Sequence, residues 1–209
     1  FSQNETQRVA PASLTKLMDL LLIFQQLQSG KLTMEQELTC SAYAKTMGGS
    51  EIWLKEGERM TVEELLKALV VASANDAAVV FAEAIAASEE EFVRLMNEKA
   101  QQLGLQNTHF VNCTGFDEEG HYTCAQDVAV LARELMTGYG EQLTRFSTIW
   151  MDSLRGGETQ LVNTNRLIRF YDGATGLKTG TTDAAGHCLC ATATRDGLSL
   201  ISVIMGCKS

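Results

Sequence analysis

The residues best equipped for chemistry are a hydroxyl and an amine three positions apart, Ser13 and Lys16 in the run Ser13-Leu14-Thr15-Lys16. On a helix this spacing puts both side chains on one face, a turn apart. A serine is a weak nucleophile until a base takes its proton. A lysine can act as that base once burial or a second cation lowers its pKa. A helix N-terminus at the same place would add N–H groups and a positive dipole end, both suited to an oxyanion. Alone, the S-x-x-K spacing arises by chance and carries little weight.

Two further triplets follow. Ser73-Ala74-Asn75 precedes an alanine-rich stretch, where a Ser or Asn most simply caps a helix. The functional alternative is a second hydroxyl that relays protons, with an amide that holds Lys16 or the substrate backbone. Lys178-Thr179-Gly180 follows Gly176-Leu177 and precedes Thr181-Thr182. It is either a polar loop or an edge strand whose lysine and threonine meet a substrate carboxylate. Gly180 would then let the substrate backbone come close, and an adjacent N–H would complete an oxyanion hole.

The elements that must carry these groups are legible from periodicity. Leu14, Leu17, Met18, Leu21 and Leu22 mark an amphipathic helix from Pro11, with Gly30 as its stop. Thr61 with Glu64, Ser88 with Glu91, and Thr123 with Gln126 read as capping boxes of three more helices. Gly104 and Gly138 read as the stops of the last two. The alanine-rich residues 76–87 form another helix. Near the end Leu189, Ala191 and Ala193 alternate with Cys190, Thr192 and Thr194. Arg195-Asp196-Gly197 and a second strand-like run, 198–205, complete a hairpin signal. Helices in the middle and strands at the end predict an α+β fold.

Composition excludes several classes. The net charge of −9 argues against a nucleic-acid binder. The longest apolar run, 20–24, is far too short to span a bilayer. Cys188 and Cys190 share one strand face, badly placed to bridge each other, and read as small buried hydrophobes ahead of a metal site. His109, His121 and His187 show no ligand spacing and read as structural. The chain opens on Phe1, and Ser209 follows closely on the last strand, so the expectation is a processed or excised piece that continues in at least one direction.

S-x-x-K, S-x-N and K-T-G in this order form the joint signature of penicillin-binding proteins and class A β-lactamases. Pro11-Ala12-Ser13-Leu14-Thr15-Lys16, Ser73-Ala74-Asn75-Asp76-Ala77-Ala78 and the run from Asp172 to Gly180 closely resemble the low-molecular-mass D-alanyl-D-alanine carboxypeptidases. So do Gly104-Leu105-Gln106-Asn107-Thr108-His109-Phe110 and Gly186. The resemblance implies a DD-peptidase/β-lactamase-like catalytic domain over residues 1–209. Its sheet would be mostly antiparallel and flanked by helices, with a helical lobe over about 30–150 and terminal elements missing. It implies a serine-type carboxypeptidase that removes the terminal D-alanine from peptidoglycan stem peptides and is acylated by β-lactams at Ser13. Lys16 would be the base, Ser73 the proton relay and Asn75 an orienting group. Lys178 and Thr179 would hold the substrate carboxylate beside Gly180, and the N–H groups of Ser13 and Thr181 would form the oxyanion hole. No metal or organic cofactor is implied. The place of work would be extracytoplasmic, with membrane attachment only through segments outside this chain.

Asp19 stands where the resemblance leads us to expect a neutral residue, and the amphipathic pattern sends it to solvent. Asn163-Thr164-Asn165-Arg166 aligns ambiguously with an upstream arginine of some relatives, so Arg166 is not assigned a role. A class A β-lactamase is the nearest alternative, but its Glu-x-x-Leu-Asn loop is lacking. A non-catalytic cell-wall peptide binder is the other, and it is disfavoured by the presence of Ser13, Lys16 and Lys178 together.

Overall fold

A computed structural model describes residues 1–208. The first expected helix is present but enters through a tight 3-10 turn, Ala12–Thr15, before α1 (Lys16–Gln28) begins. In a 3-10 turn residues i and i+3 eclipse, so the turn aims Ser13 and Lys16 the same way. Gly30 ends the helix with φ +73, as the stop signal requires. The amphipathic expectation fails for the first half of α1. Every residue from Lys16 to Phe24 is buried, Asp19 included at 0% exposed. α1 packs against three other helices, Asn75–Ala86, Glu89–Gln102 and Ala125–Ser147, and has no solvent face there. A helix buried on all sides is apolar all round, which makes a buried carboxyl within it exceptional.

A short hairpin, β1 (Glu37–Thr39) with β2 (Arg59–Thr61), leads into α2 (Val62–Lys67). Thr61 and Glu64 form both halves of the expected capping box. A wide π-turn, Ala68–Ala72, ends on Ser73 in the left-handed conformation, φ +61. That reversal points the chain into α3 (Asn75–Ala86), one residue earlier than expected at each end. α4 (Glu89–Gln102) is capped by Ser88, whose Oγ accepts from the Glu91 N–H, and Gly104 closes it with φ +71. The other half of that box is not made; the Glu91 carboxylate pairs with Arg94 instead.

α5 (Ala125–Ser147) corrects the reading twice. Its cap is Cys124, whose Sγ accepts from the Asp127 N–H, because Thr123 is engaged in a β-bridge with Val9. Nor does Gly138 stop it. The helix runs on through Gly138 and Gly140 because Leu143 and Phe146 are buried beyond them. Two buried side chains of that size contribute about 1.5–3 kcal/mol each, more than the roughly 1 kcal/mol each interior glycine costs.

β3 (Met151–Leu154) pairs with β4 (Thr159–Val162), and a single helical turn, α6 (Leu167–Phe170), precedes the main sheet. That sheet is an antiparallel meander of β5 (Ala174–Thr182), β6 (Gly186–Arg195) and β7 (Leu198–Cys207). The expected turn is present: Asp196 and Gly197 both have positive φ, +51 and +78, the two-residue geometry that matches strand twist. Lys178 pairs with Cys190, and Cys190 with Val203, so these share the face turned toward the helices. Cys188 and Cys190 are buried on it as free thiols, and burial pushes Cys190 up to about 12.

Candidate active site

Three elements converge on Lys16. It is 0% exposed, and its Nζ donates to Asn75 Oδ1 at 2.6 Å and to the Thr114 carbonyl at 2.6 Å. Its third neighbour is Ser13 Oγ at 3.0 Å. A neutral amine has two N–H groups and one lone pair. With both N–H groups committed to Asn75 and Thr114, the lone pair is left for the Ser13 hydroxyl. Burial lowers the Lys16 pKa to about 8, against the opposing pull of Asp19. The nucleophile turn is itself strained: Ala12 sits at φ +48, where a Cβ is disfavoured by about 1–2 kcal/mol.

Asn75 is fixed by more than its side-chain bond to Lys16. Its N–H donates to the Ser50 carbonyl at 2.7 Å and its Nδ2 to the Gly48 carbonyl at 2.8 Å. The loop that offers those carbonyls is anchored by Asp76, which accepts from the Ile52 and Leu54 N–H groups. Asp76 itself caps no solvent face; burial raises its pKa against those three backbone donors, Ala77 N–H among them.

A second lysine faces the first. Lys178 is 1% exposed, and its Nζ donates to Ser73 Oγ at 2.7 Å and to the Thr179 carbonyl at 3.0 Å. Among the described residues no carboxylate pairs with it, and burial and the nearby Lys16 charge hold its pKa well below the usual lysine range. Each lysine thus has its own serine: Ser13 touches Lys16, and Ser73 touches Lys178. Thr179 turns the other way, its Oγ1 donating to Thr164 Oγ1 at 2.7 Å.

Gly180 is where the strand meets the turn that carries Ser13. A Cβ there would lie 2.8 Å from Ser13 N and 2.9 Å from Ala12 Cβ, so only glycine allows β5 to lie this close. Thr181, next along, is exposed, with its Oγ1 3.2 Å from His187 Nδ1. All eight residues singled out from the sequence thus lie on elements that meet at the nucleophile turn or at the strand beside it. Arg166 lies apart from them at the start of α6, its guanidinium 5.8 Å from the Phe170 ring centre.

The loop 111–117 supplies what the sequence did not disclose. Its Thr114 carbonyl binds Lys16, and a carbonyl has no side-chain signature. Asn112 Oδ1 folds the loop by accepting from the Thr114 hydroxyl and the Gly115 N–H. Gly115, at φ +89, could carry no Cβ, which would fall 2.0 Å from the Ala12 carbonyl oxygen. His121 holds the loop to the 3-10 turn that leads into α1: its Nδ1 accepts from the Val111 N–H, and its Nε2 donates to Thr15 Oγ1 at 2.8 Å. Asp117 ties the far end to the β5–β6 turn, accepting from the Thr182 hydroxyl and the Ala184 N–H.

The resulting arrangement can move a proton from a serine to a neutral buried amine and can hold an anion at a second, unpaired one. The protein resembles others of known sequence and structure. It is 48% identical to the D-alanyl-D-alanine carboxypeptidase DacF of Bacillus subtilis over all of its own length and 54% of that protein. Penicillin-binding protein 6B of Escherichia coli superimposes with a TM-score of 0.93 at 35% identity, over 100% of this chain and 67% of that one. The cefotaxime-bound penicillin-binding protein D2 of Listeria monocytogenes does so at 0.85 and 28%, over 100% and 84%. The chain spans about half the length of the curated relatives it matches, 54% of DacF for example. The family model described as D-alanyl-D-alanine carboxypeptidase matches residues 1–209 from end to end, and the chain belongs to that family.

Proposed function

We propose that residues 1–209 are the catalytic domain of a serine-type D-alanyl-D-alanine carboxypeptidase that acts on peptidoglycan stem peptides and is acylated by β-lactams. One observation carries this reading: Lys16 Nζ stands 3.0 Å from Ser13 Oγ with its other partners fixed. As Ser13 Oγ attacks the carbonyl of the penultimate D-alanine, its proton passes to the Lys16 lone pair. The carbonyl becomes an oxyanion held by the N–H groups of Ser13 and Thr181. The C–N bond then breaks, and the proton that Lys16 took from Ser13 passes by way of the Ser73 hydroxyl to the departing amine of the terminal D-alanine, which returns Lys16 to its neutral form; Lys178 holds Ser73 by a hydrogen bond. Asn75 orients Lys16 throughout. The terminal carboxylate binds at Lys178 and Thr179, its charge favouring the ammonium form of the buried Lys178, and Gly180 keeps the strand open to the peptide. Water hydrolyses the acyl-enzyme by the same proton path reversed.

The same reading places the work outside the cytoplasmic membrane, where peptidoglycan lies. No helix among the described residues is long and apolar enough to cross a membrane. Residues 30–150, which carry Ser73 and Asn75, serve as the helical lobe, with the cleft between it and β5. The experiment is to incubate the protein with a labelled penicillin and map the adduct by mass spectrometry. A single adduct on the peptide containing Ser13, lost in Ser13→Ala, is the expected result. A folded protein that takes no label at Ser13 refutes the reading.

A further inference from the structure

Asp19 is the one buried charged group near the site for which the mechanism has no use. It lies one turn beyond Lys16 on the same face of α1, and both side chains are 0% exposed. Neither Asp19 carboxyl oxygen has a hydrogen-bond partner. A lone ionised carboxylate in such a place is heavily disfavoured, and so is a lone ammonium; each makes the other's charge tolerable.

The surroundings leave few other partners. Lys16 faces Asp19 from α1 itself, Lys178 from β5, Cys113 from the loop 111–117, and Glu89 from the start of α4. Asp76 on α3 reaches Lys16. Glu89 is occupied, accepting from the Cys113 N–H and the Tyr43 hydroxyl. Asp76 is occupied by three backbone N–H groups. Cys113 is buried, and its thiol is pushed well above the ordinary range by burial, so it stays neutral. Asp19 is therefore the only one of these acids both uncommitted and one turn from the Lys16 amine.

We propose that Asp19 and Lys16, with no hydrogen bond between them, titrate as a coupled pair that carries a single proton on one or the other, so that Asp19 sets when the Lys16 amine is free to take the Ser13 proton. With the carboxylate ionised, Lys16 is held as an ammonium and cannot act. When the proton resides on Asp19, the Lys16 lone pair is available. The exchange moves one proton and changes no net charge. Burial raises the Asp19 pKa, the Glu89 charge adds to that rise, and the Lys16 and Lys178 charges oppose it. Asp19 touches no reacting atom and is a positioning residue for charge.

The inference rests on the acylation proposed above and is tested by the pH profile of acylation by a fluorescent penicillin. Without the carboxylate, Lys16 becomes a free base at lower pH, so the acid limb in Asp19→Asn moves down by roughly 1–3 pH units. The plateau rate at high pH stays within a few-fold of the parental protein. Asp19→Thr, whose hydroxyl can bond within its own helix, serves if the buried amide does not fold. A folded variant whose acid limb superimposes on the parental one overturns the proposal. A second readout needs no activity and separates failure here from failure of the proposed function. The Asp19 carboxyl 13C resonance should titrate well above the ordinary aspartate value of about 3.9, and Lys16→Met should raise its midpoint further. A midpoint that Lys16→Met leaves unmoved means the two groups do not share a proton.

Discussion

A methyl group at Gly180 probes how closely the strand and the nucleophile turn are built together. The new Cβ would meet Ser13 N at 2.8 Å, Ala12 Cβ at 2.9 Å and Leu14 N at 3.2 Å. Ordinary contact between such atoms begins at about 3.5 Å, so the two elements must part by roughly half an ångström. None of the three atoms is the end of a flexible side chain. Two are backbone, and the turn is pinned by Leu14 and Ala12, both buried. Overpacking of this kind costs about 1–3 kcal/mol, which in a chain of this size lowers Tm by about 2–12 °C. The effect on rate should be larger in proportion, because the displaced atoms are the nucleophile and the neighbouring N–H of Thr181. A misplacement of about 1 Å costs on the order of 100-fold, so Gly180→Ala should slow acylation by about 10- to 100-fold. The assay is the second-order rate of labelling by a fluorescent penicillin, read beside a thermal melt. Acylation within about twofold of parental at an unchanged Tm would mean that β5 does not set the position of Ser13.

Lys16→Met should slow Ser13 acylation by about 10²- to 10⁴-fold while retaining a cooperative melt; labelling at the parental rate would remove Lys16 from the role of base. His121 is held neutral by burial, with a pKa lowered to about 4. Because the unfolded histidine takes up its proton near 6.5 while the folded one does not, stability is undiminished above about 6.5 and falls as the pH drops toward 4. The loss should be on the order of 3 kcal/mol, seen in denaturant melts across that range and flattened in His121→Gln. Thr61→Ala removes the hydroxyl half of the box that starts α2, while the backbone N–H at position 61 can still donate to Glu64, and should cost about 1 kcal/mol with no change in acylation rate at temperatures where the protein stays folded.

Much of this protein is local and therefore legible in the chain itself. The hairpin turn at Asp196-Gly197, the capping box at Thr61, and the glycine stops at 30 and 104 depend on a few adjacent residues, and each lies where the pattern puts it. The order of Ser13-x-x-Lys16, Ser73-x-Asn75 and Lys178-Thr179-Gly180 was enough to name the family, since chance seldom arranges three such triplets in sequence. What depends on packing was not legible. Cys124 took the cap of α5 because Val9 claimed Thr123 for a β-bridge. Gly138 did not end that helix because buried side chains beyond it outweighed its propensity. Thr114 reaches Lys16 through a carbonyl, a group every residue has, so no spacing could single it out. Asp19 differs most from its sequence reading. Periodicity sends a polar residue to water, but α1 has helices around its first half and no water-facing side, so the carboxyl lies buried one turn from Lys16. Residue identity supplied the reacting groups; only the packing of α1 beneath the rest of the fold decided which charges they share.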